Sequence, residues 1–328
     1  MASKETDSVI DTIYFGGGTP SFVDPSLIQK TLDTIFSHYN VSENAEISME
    51  CNPKTIDLSG LSLLKSSGVN RLSIGLQSTD DALLRTLGRI HNSQDFEDCL
   101  NNARRADFDN ISLDLMYGLP DQTISHWQKT LEDAICFDVQ HISCYCLKIE
   151  ENTPFANLGL SLPDDDTVAD MYDLCVLHLK NHGYERYEIS NFAKSKMYSR
   201  HNLKYWRCED FRGFGAGAYS CINNTRFSNE RSVHEYIKKI DESGCAVIET
   251  IRTSAADRMS EFIFLGLRCA DGISLPEFHK KFNCSIFDIY QDVINKYINA
   301  GFLICDKFSL RFSDKGFFVS NFILADFV

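Results

Sequence analysis

The sequence predicts an α/β protein built on a parallel sheet, and three observations carry that expectation. Strand-like and helix-like segments alternate through the first half of the chain. The first strand-like segment runs into Gly16-Gly17-Gly18-Thr19-Pro20-Ser21 before a helical pattern begins at Pro25. Polar residues then occupy every second position of the later strand-like segments, which marks one face of the sheet as polar.

Taken in order, strands are expected at 12–15, 46–51, 71–75, 110–116 and 141–146. After the first, Leu27, Ile28, Leu32, Ile35 and Phe36 recur at helix spacing behind Pro25, a residue suited to a first helical turn. After the fourth, Trp127, Leu131, Ala134 and Ile135 repeat the pattern behind Thr123. Strands joined in this way by helices form either a barrel or an open sheet. Asp164-Asp165-Asp166 puts negative charge at the N-terminus of a helix over 167–180. From Ala255 come three helical patterns, with Ser274 and Glu277 spaced as a capping box and Ser285 as a second cap. Two short strands at 303–305 and 310–312 then suggest a winged-helix-like unit. The expected division is an incomplete barrel over 1–162, a linking helix and segment over 163–250, and the winged-helix-like domain over 251–328.

Strand parity separates two faces. One carries Ser48, Glu50 and Asn52; Ser73, Gly75 and Gln77; Ser112 and Asp114; His141, Ser143 and Tyr145. The other carries Ile47, Met49 and Cys51; Leu72, Ile74 and Leu76; Leu113 and Leu115; Ile142, Cys144 and Cys146. The second set is what helices pack on. The first is too polar for the filled interior of an ordinary eight-stranded barrel, since each buried polar group without a partner costs roughly 2–7 kcal/mol. A polar ligand in a wider or incomplete barrel supplies the partners. Ligands of such folds sit at the carboxyl ends of the strands, where 16–18, 50–52 and Gln77 fall. Glycines there let the backbone press its N–H groups against a ligand.

Each residue also has a purely structural reading. Asn52 and the turn at Pro53 can cap Glu50, and Asp114 can be a satisfied core carboxylate. Gln77-Ser78 can simply precede a helix at Asp80, and Arg89 can be an exposed cation at a helix end. The shared face and shared sheet end together favour a ligand site.

With 328 residues, 43% of them hydrophobic and 24% charged, the chain can bury one large domain and a smaller one. Its net charge of −14 argues against binding nucleic acid through phosphates, which needs a basic face. No stretch approaches the apolar length of a transmembrane segment and the N-terminus has no signal-peptide pattern, so a cytoplasmic protein is expected. The 12 cysteines include no Cys-x-x-Cys and no zinc pattern, and are read as reduced, small core residues. Cys144 and Cys146 invite a metal-pair reading, but parity points them away from the polar face.

The glycine run, Glu50-Cys51-Asn52-Pro53, Asn70-Arg71-Leu72-Ser73-Ile74-Gly75-Leu76-Gln77-Ser78 and Leu87-Gly88-Arg89-Ile90-His91 resemble segments of the radical S-adenosylmethionine proteins related to oxygen-independent coproporphyrinogen III oxidase. Asp114-Leu115-Met116-Tyr117-Gly118-Leu119-Pro120-Asp121-Gln122-Thr123 and Tyr187-Glu188-Ile189-Ser190-Asn191-Phe192-Ala193 continue the resemblance, which covers nearly the whole chain. Gln77-Ser78 and His201-Asn202-Leu203-Lys204-Tyr205-Trp206 resemble the haem-chaperone branch of that group. The resemblance implies an open barrel of about six strand–helix units and a smaller C-terminal domain. It implies that Gly17, Gly18 and Thr19 lie along S-adenosylmethionine, that Glu50 bonds its polar end, and that Gln77, Arg89 and Asp114 belong to the same site. In the chaperone branch His201, with Tyr205 near it in sequence, is the candidate haem contact and haem-iron ligand, imidazole being a common axial ligand.

The family also holds a 4Fe-4S cluster on a Cys-x-x-x-Cys-x-x-Cys loop upstream of the glycine run, and this chain has no such loop. The expectation is an N-terminally truncated chain without its first strand and cluster loop, not competent to cleave S-adenosylmethionine. Where relatives often carry His, Tyr219 stands in Gly215-Ala216-Gly217-Ala218-Tyr219-Ser220. The function implied is a haem chaperone that binds haem and delivers it to an acceptor protein the sequence does not name. The alternative is the oxidase that decarboxylates coproporphyrinogen III in porphyrin biosynthesis, and a third reading is an inactive binding remnant.

Overall fold

The alternating segments of the first half fold into strand–helix units. β1 (Val9–Phe15) leads through the glycine run into α1 (Pro25–His38), which Asp24 caps by accepting from the Ser26 N–H. β2 (Asn40–Cys51), α2 (Leu58–Ser66), β3 (Arg71–Gln77), α3 (Asp81–Thr86), α4 (Ser93–Arg105), β4 (Ile111–Tyr117), α5 (Ile124–Cys136) and β5 (His141–Cys146) continue the order. Then follow α6 (Asp165–Asn181), β6 (Glu185–Arg186), β7 (Asn191–Ala193) and α7 (Arg200–Trp206). The structure is a computed structural model that describes residues 8–151 and 154–327.

The seven strands form one open, curled sheet, a half-barrel, in the order β1-β2-β3-β4-β5-β7-β6. β1 to β5 are parallel, while β7 runs antiparallel to β5 and β6 antiparallel to β7. The five parallel strands fall where the alternation places them, with extensions of β1, which begins at Val9, of β2 and of β3. β2 begins earlier because its first residues pair with Val9 and Ile10, before the register shifts and Thr12 meets Glu46. β3 runs on to Gln77 through a register shift against β4, where Gln77 adopts a left-handed φ of 70°. The apolar face is the core: Ile47, Met49, Leu72, Ile74, Leu76, Leu113, Leu115, Ile142 and Cys144 are buried among Leu32, Leu61, Leu64, Phe96, Leu100, Trp127 and Leu131 of the covering helices. β6 and β7 lie within the segment expected as a link; they are too short to show a periodicity.

The described residues divide into two compact units, one ending at His201 and one beginning at Asn202. The second holds a three-stranded antiparallel sheet of β8 (Tyr219–Ile222), β9 (Thr225–Asn229) and, beyond α8 (Val233–Ser243), β10 (Val247–Arg252). α9 (Ala255–Gly266), β11 (Ile273–Ser274), α10 (Leu275–Phe282), α11 (Phe287–Asn299), β12 (Leu303–Cys305) and β13 (Ser309–Phe312) make the winged-helix-like arrangement, with β11 completing a sheet in the order β11-β13-β12. α12 (Asp314–Phe318) and α13 (Ser320–Leu324) close the chain. Ser274 caps α10 by accepting from the Glu277 N–H, and Ser285 accepts from the Phe287 N–H at the start of α11.

The cysteines are less uniform than the core reading expects. Cys51, Cys99, Cys144, Cys175 and Cys269 are buried, but Cys136, Cys146 and Cys245 are exposed and the other four lie between. Cys144 faces the core as parity requires; Cys146 shares its face but stands at the strand end, beyond the helices' cover.

Candidate functional site

Sheet register assembles the polar face in rows. Tyr14, Ser48 and Arg71 stand side by side on β1, β2 and β3. The next row runs from Glu50 through Ser73 and Ser112 to His141. The third runs from Gly75 through Asp114 and Ser143 to Asn191 of β7. Within these rows Ser48 Oγ and Asn191 Oδ1 are buried and have no hydrogen-bond partner among the described residues. Such groups are costly unless something bonds to them.

At the carboxyl ends of the strands the glycine run meets Glu50. A Cβ on Gly16 would lie 2.5 Å from the Tyr14 ring and 2.9 Å from Glu50 Oε1, so only glycine lets the chain pass. Gly17 and Gly18 hold left-handed φ values of 83° and 71°, and nothing lies within 4 Å of where their Cβ atoms would be. Their backbone therefore borders open space. The Glu50 carboxylate is held from both sides: the Tyr14 hydroxyl donates to Oε1 at 2.9 Å and the Gly17 N–H donates to Oε2 at 3.1 Å. Asn52 does not cap Glu50. Its Nδ2 donates to Thr19 Oγ1 at 3.1 Å, its N–H donates to Ser21 Oγ at 3.0 Å, and its Oδ1 accepts from Arg89 Nη1 at 3.3 Å. Gly75 makes room for this meeting point, since a Cβ there would come within 2.9 Å of both Asn52 Oδ1 and Gln77 Nε2. Ser78 is fully buried behind it, and the helix that follows starts at Asp81 with Asp80 as its cap.

Asp114 lies at the centre of the face. The Ser73 hydroxyl meets both its oxygens at 3.1 Å. Burial pushes its carboxyl up to about 6, against the hydroxyls of Ser143 and Ser73, and the Glu50 charge adds to the rise. Arg89 is half-buried, and burial lowers its pKa while the Asp114 charge opposes the shift. Gly17, Thr19, Glu50, Gln77 and Arg89 thus meet at the carboxyl end of the strands, with Asp114 on the same face and Gly18 in the adjoining turn.

Deeper in the face, His141 is buried with Ser112 Oγ at 2.7 Å from Nδ1 and Tyr187 Oη at 2.7 Å from Nε2. Burial, helped by the Arg71 charge, holds its pKa well below the ordinary value, so this imidazole is neutral. Arg71 is itself buried and donates to Asn110 Oδ1 and the Met197 carbonyl. The Ser199 N–H donates to Tyr187 Oη. This network fastens 187–199 to the sheet and sets up the start of α7. There Glu46, buried on β2, accepts the Arg200 N–H on Oε2 and the His201 N–H on Oε1, at 3.1 and 2.9 Å.

His201 consequently belongs to the half-barrel. Its Nδ1 lies 2.9 Å from Thr12 Oγ1, and its ring stacks on Tyr14 with centroids 5.0 Å apart and planes 16° from parallel. Tyr205 belongs to the second unit, where it packs edge-on to Phe211 and lines a cavity of about 320 Å³ with Cys208, Tyr219, Cys221 and Arg226. The Arg268 guanidinium lies 4.6 Å over the Trp206 ring. Thr12, Tyr14 and Glu46 were within reach of sequence reasoning, because the parity that groups Ser48 with Glu50 extends to Glu46 and across to β1. The partners of Asn52 and the Tyr187 network are long-range and leave no periodic signal.

Among the described residues no group of three His, Cys, Asp or Glu side chains is placed to hold a metal ion, and no helix is long and apolar enough to cross a membrane. Residues 3–134 match the model of the radical SAM superfamily, and residues 253–319 that of the HemN C-terminal domain. The chain is 36% identical to the haem chaperone HemW of Bacillus subtilis over 97% of its own length and 86% of that protein's. It is 34% identical to HemW of Lactococcus lactis, covering 97% of this chain and 84% of that one. It is 32% identical to the mitochondrial radical S-adenosyl methionine domain-containing protein 1 of Danio rerio, covering 98% and 78%. The solved structure of coproporphyrinogen III oxidase (HemN) from Escherichia coli superposes with a TM-score of 0.86 at 22% identity, over 98% of this chain and 78% of that one, so the two share a fold.

Proposed function

This chain belongs to the HemW haem-chaperone family of radical SAM proteins, and from that premise we propose that it binds haem through His201 and S-adenosylmethionine on the polar face. The observation that carries the proposal is the seat of His201. The α7 N-terminus is clamped by buried Glu46, and the imidazole is fixed by Thr12 at Nδ1 and by the Tyr14 ring, which together set the orientation of the ring proposed to contact the iron. A ring oriented by a hydrogen bond and a stacking partner is held in place as ligating histidines are.

The donor set of the polar face fits S-adenosylmethionine. That ligand brings a sulfonium, an ammonium and a carboxylate. Glu50 and Asp114 match its positive charge, while the Arg89 guanidinium and the glycine backbone that borders open space at Gly17 and Gly18 suit its carboxylate. The orphaned Ser48 Oγ and Asn191 Oδ1 supply further polar contacts on the same face. Among the described residues no group of cysteines is placed to hold a 4Fe-4S cluster, whose thiolate ligands must be close together. The chain's proposed role is to bind haem and hand it over, with an acceptor protein as the partner.

The test is titration with haemin, following the Soret band. The unaltered chain is expected to bind with a defined stoichiometry, and His201→Ala to lose at least about tenfold in affinity, about 1.4 kcal/mol, and to shift the band. Equal affinity and an unchanged spectrum in the variant would remove His201 as the iron contact.

A further inference from the structure

The Tyr14 side chain joins two places that the family assigns to different ligands. Its hydroxyl donates to Glu50 Oε1 at 2.9 Å, and its ring carries the His201 imidazole at 5.0 Å with nearly parallel planes. Glu50 is in turn bound to the glycine turn through the Gly17 N–H, and His201 is bound to the same strand as Tyr14 through Thr12. The path Gly17–Glu50–Tyr14–His201 is therefore four residues long and unbroken, and every link is a hydrogen bond or a ring stack inside one compact unit.

We infer that Tyr14 is a positioning residue that couples the two ligand sites, so that S-adenosylmethionine on the Glu50 side tightens haem binding at His201. This inference rests on the proposed function of those two sites. The physical reason is ordering. Tyr14 is largely enclosed, and burial followed by the Glu50 charge raises the pKa of its hydroxyl, so the hydroxyl stays protonated and stays a donor to Glu50. A cationic ligand that fixes the Glu50 carboxylate also fixes the Tyr14 hydroxyl, and with it the plane against which His201 rests. The second ligand then loses less conformational freedom on binding. Linkage makes the effect reciprocal: haem must tighten S-adenosylmethionine by the same factor. Ring stacking alone does not transmit the effect in this scheme; the Tyr14 hydroxyl is required, because it is the only atom of that ring bonded to Glu50 in the described contacts.

The experiment titrates haemin into the full chain with and without saturating S-adenosylmethionine, using the Soret band, and measures S-adenosylmethionine binding with and without haemin by equilibrium dialysis. The expected result is a tightening of about fivefold or more, equal in both directions, at the lower end of usual couplings. In Tyr14→Phe, which keeps the ring and removes only the hydroxyl, the ratio is expected to fall to near one whatever the separate affinities become. Thr12→Val, which frees Nδ1 of His201 without touching Tyr14, is expected to lower the ratio as well, and serves if the first variant does not fold. Tyr184→Phe removes a buried hydroxyl bonded to the Val139 carbonyl and is expected to leave the ratio unchanged, so a general loss of stability cannot imitate the effect. Binding of both ligands without tightening overturns the coupling alone, as does tightening that survives in Tyr14→Phe. Failure of the unaltered chain to bind haemin, or binding indifferent to His201→Ala, overturns the coupling together with the functional reading on which it rests.

Discussion

The seven-stranded sheet of the half-barrel and the three-stranded sheet of β8, β9 and β10 are made of similar residues but stand in opposite surroundings. The strands of the first alternate between a face buried under α1 to α6 and a face lined with Ser, Glu, Asp and His. β10 reads Val-Ile-Glu-Thr-Ile-Arg, a sequence as rich in β-branched residues as any strand here, yet all six residues are exposed. α8 carries Val233, Ile237 and Ile240 at helical spacing and buries no residue. The difference shows that side-chain alternation is a record of burial and not of strand formation itself. Where a sheet has one face in the core, a one-residue slip would expose the whole apolar set, so the pattern is strict. Where neither face is covered, the pattern carries no such constraint.

The largest effect that sharpens this comparison is a pair of truncations. Leu113 is fully buried in the centre of the half-barrel core, and Leu113→Ala is expected to cost about 2–5 kcal/mol. Ile251, on exposed β10, is expected to lose about 0.5 kcal/mol or less as alanine. Urea denaturation of both variants checks this. Comparable losses would mean that β10 is covered in solution and that the contrast between the sheets is false.

A smaller effect separates the two faces of the first sheet. Asp114 has a folded pKa near 6, against about 3.9 for a free aspartate. Between those values the folded chain holds a proton that the unfolded chain has released. Stability attributable to this group is therefore present below about pH 4, falls as pH rises, and is gone above about pH 6. The difference between those values corresponds to about 3 kcal/mol, which relaxation of the face reduces. Asp114→Asn removes the charge and is expected to be more stable than the parent by about 1–2 kcal/mol at pH 8, with a smaller gap at pH 5. It is also expected to bind S-adenosylmethionine more weakly. A parent and variant whose stability difference does not change between pH 5 and pH 8 would show that Asp114 is not the buried charge of this face.

How much of this was legible follows the same rule. The five parallel strands, their two faces and the common end of Gly17, Glu50 and Gln77 could be read because burial imposes alternation on 46–51, 71–75, 110–116 and 141–146. Glu50 was legible as a candidate residue and Tyr14 could be reached by extending parity to β1, but the bonds that join Glu50 to Tyr14 and Gly17 depend on the approach of β1 to β2, which no local pattern announces. The half-barrel's β6 and β7 were missed because strands of two and three residues have no period to detect. β10 was missed because it is exposed throughout and its alternation is not tied to a core. Tyr205 was grouped with His201 by nearness in sequence, and both lie on α7.

The smallest effect on stability tests whether the polar face ends in a ligand contact or merely in a turn. Gly17 holds a φ of 83°, so an alanine there incurs backbone strain of about 1–2 kcal/mol. Its methyl group meets nothing within 4 Å, so no further cost arises inside the protein. Gly16→Ala is the contrasting case, because its Cβ would press on the Tyr14 ring and on Glu50 and disturb the fold directly. Gly17→Ala is therefore expected to melt only a few degrees below the parent, while S-adenosylmethionine binding, followed by equilibrium dialysis, weakens at least about tenfold because the methyl stands where the ligand approaches the N–H groups. A variant that binds S-adenosylmethionine as the parent does would place the ligand elsewhere on the sheet. The open space beside the glycines would then be a feature of the turn, and Glu50 would be explained by Tyr14 and Gly17 alone.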